Sequence, residues 1–362
     1  MKNVKKILIF KLCCLGDVVF MTPAISSLKK NFPDASFTFV HSPWIKNIMN
    51  YVKEIDDTIE IDLYSKKNIL FKLSDVIKLI FTLRRKKFDL VFLGHRNNMF
   101  GIILFLAGIR YRLGFKNTVF INKPAVFDDI IKESKRYLKI LSENNLRINT
   151  ENTHLEKPNN REEIKNSLNI TGKNFVIGVF PFGGINPGTG MDIKRWGEEK
   201  YSKLILLIKK NHPDIQIVLF EGVRENEKLI NKKEFGDIKI TKIDFGKISI
   251  CDLFISGDTG PLHIAAAFDI PTLSIFGPSD PRLVAPFDYD NSKIIHKYIW
   301  TEPECSPCYT PATAIDKKNT KYWNRNSFIC HTGDHKCIKD ISVEYVYKNL
   351  IGIINEIKNE DE

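Results

Sequence analysis

At 362 residues the chain has room for two domains of roughly 150 residues each. Hydrophobic residues at 43% and charged residues at 27% exclude a disordered chain. No apolar run reaches the roughly 20 residues of a membrane span, residues 99–109 coming nearest, and 54 Lys and Arg against 43 Asp and Glu leave a formal charge of +11.

That excess favours anionic partners such as phosphates, acidic glycolipids or nucleic acid, or else reflects lysines spread over a solvated surface. The N-terminus opens like a secretion signal, basic and then apolar. Lys11 and the Gly16-Asp17 pair interrupt the apolar run, and no small-residue cleavage site follows, so a cytoplasmic chain is expected. The seven cysteines are then expected to be reduced rather than bridged. Four of them crowd between Cys305 and Cys337.

Residues 5–12 form the continuous apolar run of a buried parallel strand. A short loop with Gly16 and Asp17 follows. Thr22-Pro23 has the form of an N-cap and first helical residue, for a helix that ends at Lys29-Lys30 before Pro33. Further strands are expected at 36–40, 58–63 and 88–93, with a helix at 73–85. From about residue 144 to 173 the chain turns polar and loses its strand pattern, which marks a domain boundary. A second series places strands at 175–180, 215–220, 253–256 and 272–276, with helices at 196–211, 225–233 and 261–268. A last helix spans 343–358, its apolar residues at helical spacing. Strand alternating with helix predicts an α/β protein of two doubly wound domains, with ligands at the carboxyl ends of the strands.

Three segments could carry chemistry. Residues 254–267 run from a buried strand through Gly257-Asp258-Thr259-Gly260 into a helix of small residues. Glycines allow close backbone approach, and the free N–H groups of a helix start hold anions, so the turn suits a diphosphate. An ordinary βα turn with Asp258 as N-cap fits the same spacing. In residues 12–23, Gly16 leaves room beside the strand end and Asp17 supplies a carboxylate, either as a base for an attacking hydroxyl or as a helix cap. The third segment joins Phe180-Pro-Phe-Gly-Gly184 to Thr189 and the Lys194-Arg195-Trp196 stretch, which could hold phosphate charge or lie solvated. It is neither a Walker A loop nor a GxGxxG turn.

These segments, with Pro271-Thr-Leu-Ser-Ile-Phe-Gly-Pro-Ser-Asp-Pro281 after them, resemble glycosyltransferase family 9, the ADP-heptose:lipopolysaccharide heptosyltransferases. The resemblance spans nearly the whole chain. It implies a GT-B fold, two Rossmann-like domains facing a cleft, with residues 1–155 as acceptor domain and 156–342 as donor domain. Residues 343–362 would form a terminal helix packing back towards the N-terminal domain. It implies a metal-independent, inverting transfer from a nucleotide-diphosphate sugar, with no cofactor needed for chemistry. Position by position, Asp17 matches the general base. Thr189, Lys194, Asp258, Thr259, Gly260 and His263 match donor contacts, and Glu225 the acid near the ribose. His95 and Arg96 match acceptor contacts. The chain departs from the family in the short 244–251 segment, where members carry a longer stretch, so the nucleoside pocket is expected to be reshaped.

Cys305-x2-Cys308 with Cys330 and Cys337 could form a structural zinc or iron site, as in iron-bound protein-modifying heptosyltransferases, or remain buried thiols. The expected activity is heptose transfer from an ADP-sugar to the anionic lipopolysaccharide inner core, by a cytoplasmic enzyme peripheral to the inner face of the membrane. Transfer onto a protein or another surface glycan is the first alternative. A basic, non-catalytic binder is the second, but the lysines are dispersed and no nucleic-acid signature appears.

Overall fold

The computed structural model describes residues 1–63, 69–170, 172, 174–183, 185–186, 189–222, 235–236, 238–287 and 294–360. The helix expected at 225–233, and Glu225 with it, lies outside the described residues. The chain divides into two units, Met1–Glu156 and Lys157–Glu362.

In the N-terminal unit β1 (Lys6–Phe10) leads into α1 (Leu15–Asn31), then β2 (Ser36–His41) and β3 (Asp57–Glu60). There follow α2 (Ile69–Lys86), β4 (Leu90–Leu93), α3 (Asn98–Leu106), β5 (Tyr111–Phe115), β6 (Lys123–Ala125) and α4 (Glu133–Ser142). The six strands run parallel in the order β3-β2-β1-β4-β5-β6. β1 and β4 occupy the centre because, beyond Lys6 at the start of β1, their residues are apolar: Ile7–Phe10 and Leu90–Leu93 are all buried.

α1 corrects the sequence reading. It begins at Leu15, so Gly16 and Asp17 lie in its first turn and Thr22 and Pro23 inside it. Pro23 has no N–H for the Val19 carbonyl, and that acceptor is taken instead by the Thr22 hydroxyl at 2.7 Å. A Thr-Pro pair that reads as a helix start is here a repaired helix interior.

In the C-terminal unit α5 (Arg161–Ser167) precedes β7 (Val176–Phe180), and the short strands β8 (Ile185–Asn186) and β9 (Thr189–Gly190) follow. Next come α6 (Glu198–Asn211), β10 (Gln216–Glu221), β11 (Lys239–Lys242), α7 (Phe245–Ile248), β12 (Leu253–Gly257), α8 (Gly260–Ala267), β13 (Thr272–Ile275), α9 (Pro281–Val284) and β14 (His296–Ile299). The second sheet, β11-β10-β7-β12-β13-β14, repeats the strand order of the first. α10 (Pro311–Ile315), β15 (Trp323–Asn324), β16 (Ser327–Phe328) and α11 (Lys336–Lys339) lead to α12 (Val343–Glu360). β15 and β16 join β9 and β8 in a small separate sheet. α12 packs along α6, burying Val346, Leu350, Ile353 and Ile354. This contact lies within the C-terminal unit.

Both sheets reverse strand order beside their first strand, between β1 and β4 and between β7 and β12. Loops diverge at such a point and leave a crevice at the carboxyl ends of the strands. The sequence-selected segments fall there in each unit.

Candidate functional site

In the N-terminal unit, β1 delivers Lys11 and α1 delivers Asp17. Lys11 Nζ lies 2.7 Å from Asp17 Oδ2, with the lysine side chain 6% exposed and the aspartate 31%. The same ammonium donates to the Gly94 carbonyl at 3.0 Å and to Tyr137 Oη at 3.4 Å. Burial works against its charge, but Asp17 and the electron-rich groups around it hold Lys11 well above the usual lysine range. Asp17 is therefore an oriented, half-exposed carboxylate rather than a helix cap.

β4 delivers His95. The Leu12 N–H donates to His95 Nε2 at 2.9 Å, which leaves the ring proton on Nδ1. Burial, and then the charge of Lys11, hold the ring well below the usual histidine range, so it stays neutral. Arg96 stacks over the Phe127 ring at 3.6 Å, and Arg136, ion-paired with Glu133, lies over the same ring at 5.2 Å. Asp17 from α1, and His95 and Arg96 from the segment after β4, thus come to one end of the sheet.

In the C-terminal unit, β12 ends at Gly257 and Thr259 caps α8, its Oγ1 accepting from the Leu262 N–H at 3.4 Å. The cap residue is Thr259, one position after the Asp258 that the spacing allows. Ser256 Oγ donates to the Phe180 carbonyl at 2.9 Å and shares a hydrogen bond with Thr259 Oγ1 at 3.0 Å. β7 and β12 are tied together at the crevice by these bonds.

Asp258 instead meets Lys194, whose Nζ lies 2.5 Å from Oδ2, and His263, whose Nε2 lies 3.6 Å from Oδ1. Burial would raise the Asp258 carboxyl, but Lys194 and His263 outweigh it and hold the group far below the usual carboxylate range. Lys194 also lies over the Tyr309 ring at 4.4 Å. Its turn is fixed from beneath: His335 Nε2 donates to the Ile193 carbonyl at 2.7 Å. Thr189 Oγ1 accepts from Lys317 Nζ at 3.2 Å. Gly260 opens α8, where unpaired N–H groups and the helix dipole favour an anion.

Lys11, Tyr137, Tyr309 and Lys317 were not singled out in the sequence. Lys11 had a signal, a lone lysine closing an otherwise apolar central strand. Tyr137 had none, being 126 positions from its partner.

The four clustered cysteines are free thiols. Cys308 packs with Trp323 and Phe328, and Cys337 lies under Gly277. Cys330 pairs with the Thr332 hydroxyl at 3.2 Å. Among the described residues, no three His, Cys, Asp or Glu side chains converge as a ligand set. Cys305, Cys308, Cys330 and Cys337 nonetheless lie near enough to act on one another's charge, and a metal held by them stays a proposal from their spacing.

A family model for glycosyltransferase family 9 (heptosyltransferase) matches residues 76–318. Lipooligosaccharide heptosyltransferase 2 of Campylobacter jejuni is 27% identical, over 93% of this chain and 95% of that protein. The solved structure of E. coli ADP-heptose LPS heptosyltransferase II superposes with a TM-score of 0.72 at 18% identity, covering 99% of this chain and all of that one. A family 9 glycosyltransferase from Veillonella parvula gives a TM-score of 0.72 at 20% identity, covering 97% of each chain. With two doubly wound units of the GT-B type and the Asp-Thr-Gly turn at a switch point, the chain belongs to glycosyltransferase family 9, the heptosyltransferase family.

Proposed function

We propose that the chain transfers a heptose from ADP-heptose to a hydroxyl of the lipopolysaccharide inner core, at the inner face of the cytoplasmic membrane. The observation that carries this reading is the Lys194–Asp258–His263 cluster beside the start of α8, a preformed diphosphate cradle. Lys194 holds positive charge there, and Asp258 positions both Lys194 and His263. The charge that builds on the leaving diphosphate meets this lysine and the helix N-terminus, so the chemical step needs no cofactor.

On the acceptor side, Asp17 takes the hydroxyl proton as the oxygen attacks the anomeric carbon and the bond to the diphosphate breaks, inverting that centre. Lys11 keeps the carboxylate aimed. His95 offers a neutral Nδ1–H donor, and Arg96 offers charge to the carboxylates of a Kdo-bearing acceptor.

The test is mass spectrometry of a truncated core acceptor after incubation with ADP-heptose. One added heptose per acceptor, unaffected by EDTA, is expected. Transfer only to protein or to other glycans, or from another nucleotide sugar alone, would replace this reading.

A further inference from the structure

The N-terminal unit carries an exposed apolar face that the proposed chemistry leaves unused. α3 buries Phe100, Ile103 and Leu104 but turns Ile102, Phe105 and Leu106 to solvent. The turn at 118–120 is fastened onto this helix. The Val119 N–H donates to Asn98 Oδ1 at 3.0 Å, and the Phe120 ring stacks on Phe105 at 4.3 Å. Gly101 permits the contact, since a Cβ there would stand 2.0 Å from the Val119 carbonyl oxygen. The end of α2 joins through Arg84 Nε, which donates to the Leu106 carbonyl at 2.6 Å. One turn earlier on α2, Phe81 is 65% exposed.

Phe120 is the telling residue. It sits at φ +60, a left-handed conformation that bulky side chains avoid. Arg112 holds it there, its Nε donating to the Phe120 carbonyl at 2.6 Å. The strain serves to present an aromatic ring that is still 48% exposed. Such strain spent on a ring that stays half exposed marks a surface built for something outside the unit.

Charge says what that is. Residues 77–86 and 98–120, which build the face, hold seven Lys and Arg and no Asp or Glu, and of these cations Lys86 is paired with Asp57. A second copy of the chain seated face to face would bring these cations against themselves. An anionic bilayer meets both properties, apolar side chains entering the interface and cations lying among phosphate headgroups. We propose that this face docks the N-terminal unit on an anionic lipid surface. The proposal deepens the reading of a membrane-borne acceptor and rests on that reading for its setting.

Sedimentation of the full chain with vesicles tests it. Binding is expected to equimolar phosphatidylcholine and phosphatidylglycerol, and much less to phosphatidylcholine alone. Phe120→Gly should weaken binding on the order of tenfold without lowering the melting temperature, because glycine accepts this φ. Arg85→Glu with Arg110→Glu should weaken it by a similar factor. Both variants should keep wild-type turnover on a water-soluble core oligosaccharide. Wild-type vesicle binding by both variants overturns the proposal. So does failure of the unmodified chain to bind anionic vesicles, or a dimer in light scattering that both variants dissolve. Docking as expected with no heptose transferred to any core acceptor upholds this face while removing the functional reading.

Discussion

The Lys11 ammonium sits 2.7 Å from the Asp17 carboxylate, joining the end of β1 to the first turn of α1. Three further contacts fix that lysine, so the carboxylate is aimed before any substrate arrives. Asp17→Asn keeps the shape and removes the proton acceptor. Turnover should fall roughly 10²–10⁴-fold with donor affinity unchanged by calorimetry. Near-wild-type turnover would take Asp17 out of the mechanism.

Lys11 also ties this site to alkaline stability. Its folded pKa is raised, so its contribution is complete below the unfolded lysine value of about 10.4 and is lost as pH rises through the folded value. Burial raises Tyr137 as well, and the unfolded chain then releases that proton first above pH about 10. Urea midpoints should therefore fall above pH about 10. Lys11→Met should flatten part of that slope, and an unchanged slope would show that other groups carry it.

Asp258 gives the opposite sign. Its folded pKa is depressed, so its contribution is complete above the unfolded aspartate value of about 3.9 and is lost as pH falls through the folded value. Removing one member of a pair this well buried costs about 3 kcal/mol. Asp258→Asn should lower stability by that order at pH 7 and lose donor affinity, with a smaller stability difference from wild type below pH 4. A variant as stable as wild type at pH 7 would show that the pair is not an anchor.

The central strands were legible because a strand buried on both faces cannot hide its apolar run, as at 5–12 and 253–256. β5 and β6 were not read, since Tyr111–Phe115 mixes arginine and glycine with its apolar residues and Lys123–Ala125 is only three residues long. Asp17 and Asp258 stood out beside glycine. Lys194 stood out too, beside Arg195, but its pairing with Asp258, like that of Lys11 with Asp17, was not legible until the fold set each lysine against a carboxylate. The start of α1 was misplaced for a local reason, the Thr22 hydroxyl that replaces the N–H missing from Pro23.

The clustered thiols should differ in reactivity. Burial and neighbouring thiols push Cys308 up to about 11 and Cys337 up to about 12. Burial also acts on Cys330, but the Thr332 hydroxyl and backbone N–H groups of Thr332, His335 and Gly333 outweigh it and bring the thiol down. Of these three, Cys330 should react first with a maleimide at neutral pH, as peptide mapping would show. Protection of all four clustered cysteines, with about one equivalent of zinc or iron per chain by elemental analysis, would establish the metal that their spacing suggests.

The last prediction concerns Gly183, between β7 and the Lys194 turn. Its φ is +132, outside the range of side-chain-bearing residues, and a Cβ would stand 2.1 Å from Thr259 Cγ2. Its carbonyl also accepts from Arg195 Nε at 3.1 Å, so the loop is fixed on both sides. Gly183→Ala must therefore push the loop away from Thr259, which caps α8 at the diphosphate cradle. Because β7 and β12 remain joined through Ser256 and the Phe180 carbonyl, the sheet itself should survive. A loss of roughly 1–3 kcal/mol in stability is expected from strain and clash. ADP affinity should fall by at least about tenfold while circular dichroism stays native, since the loop position and not the fold is what changes. Wild-type ADP affinity in a folded Gly183→Ala protein would mean that the nucleotide does not use the crevice between β7 and β12.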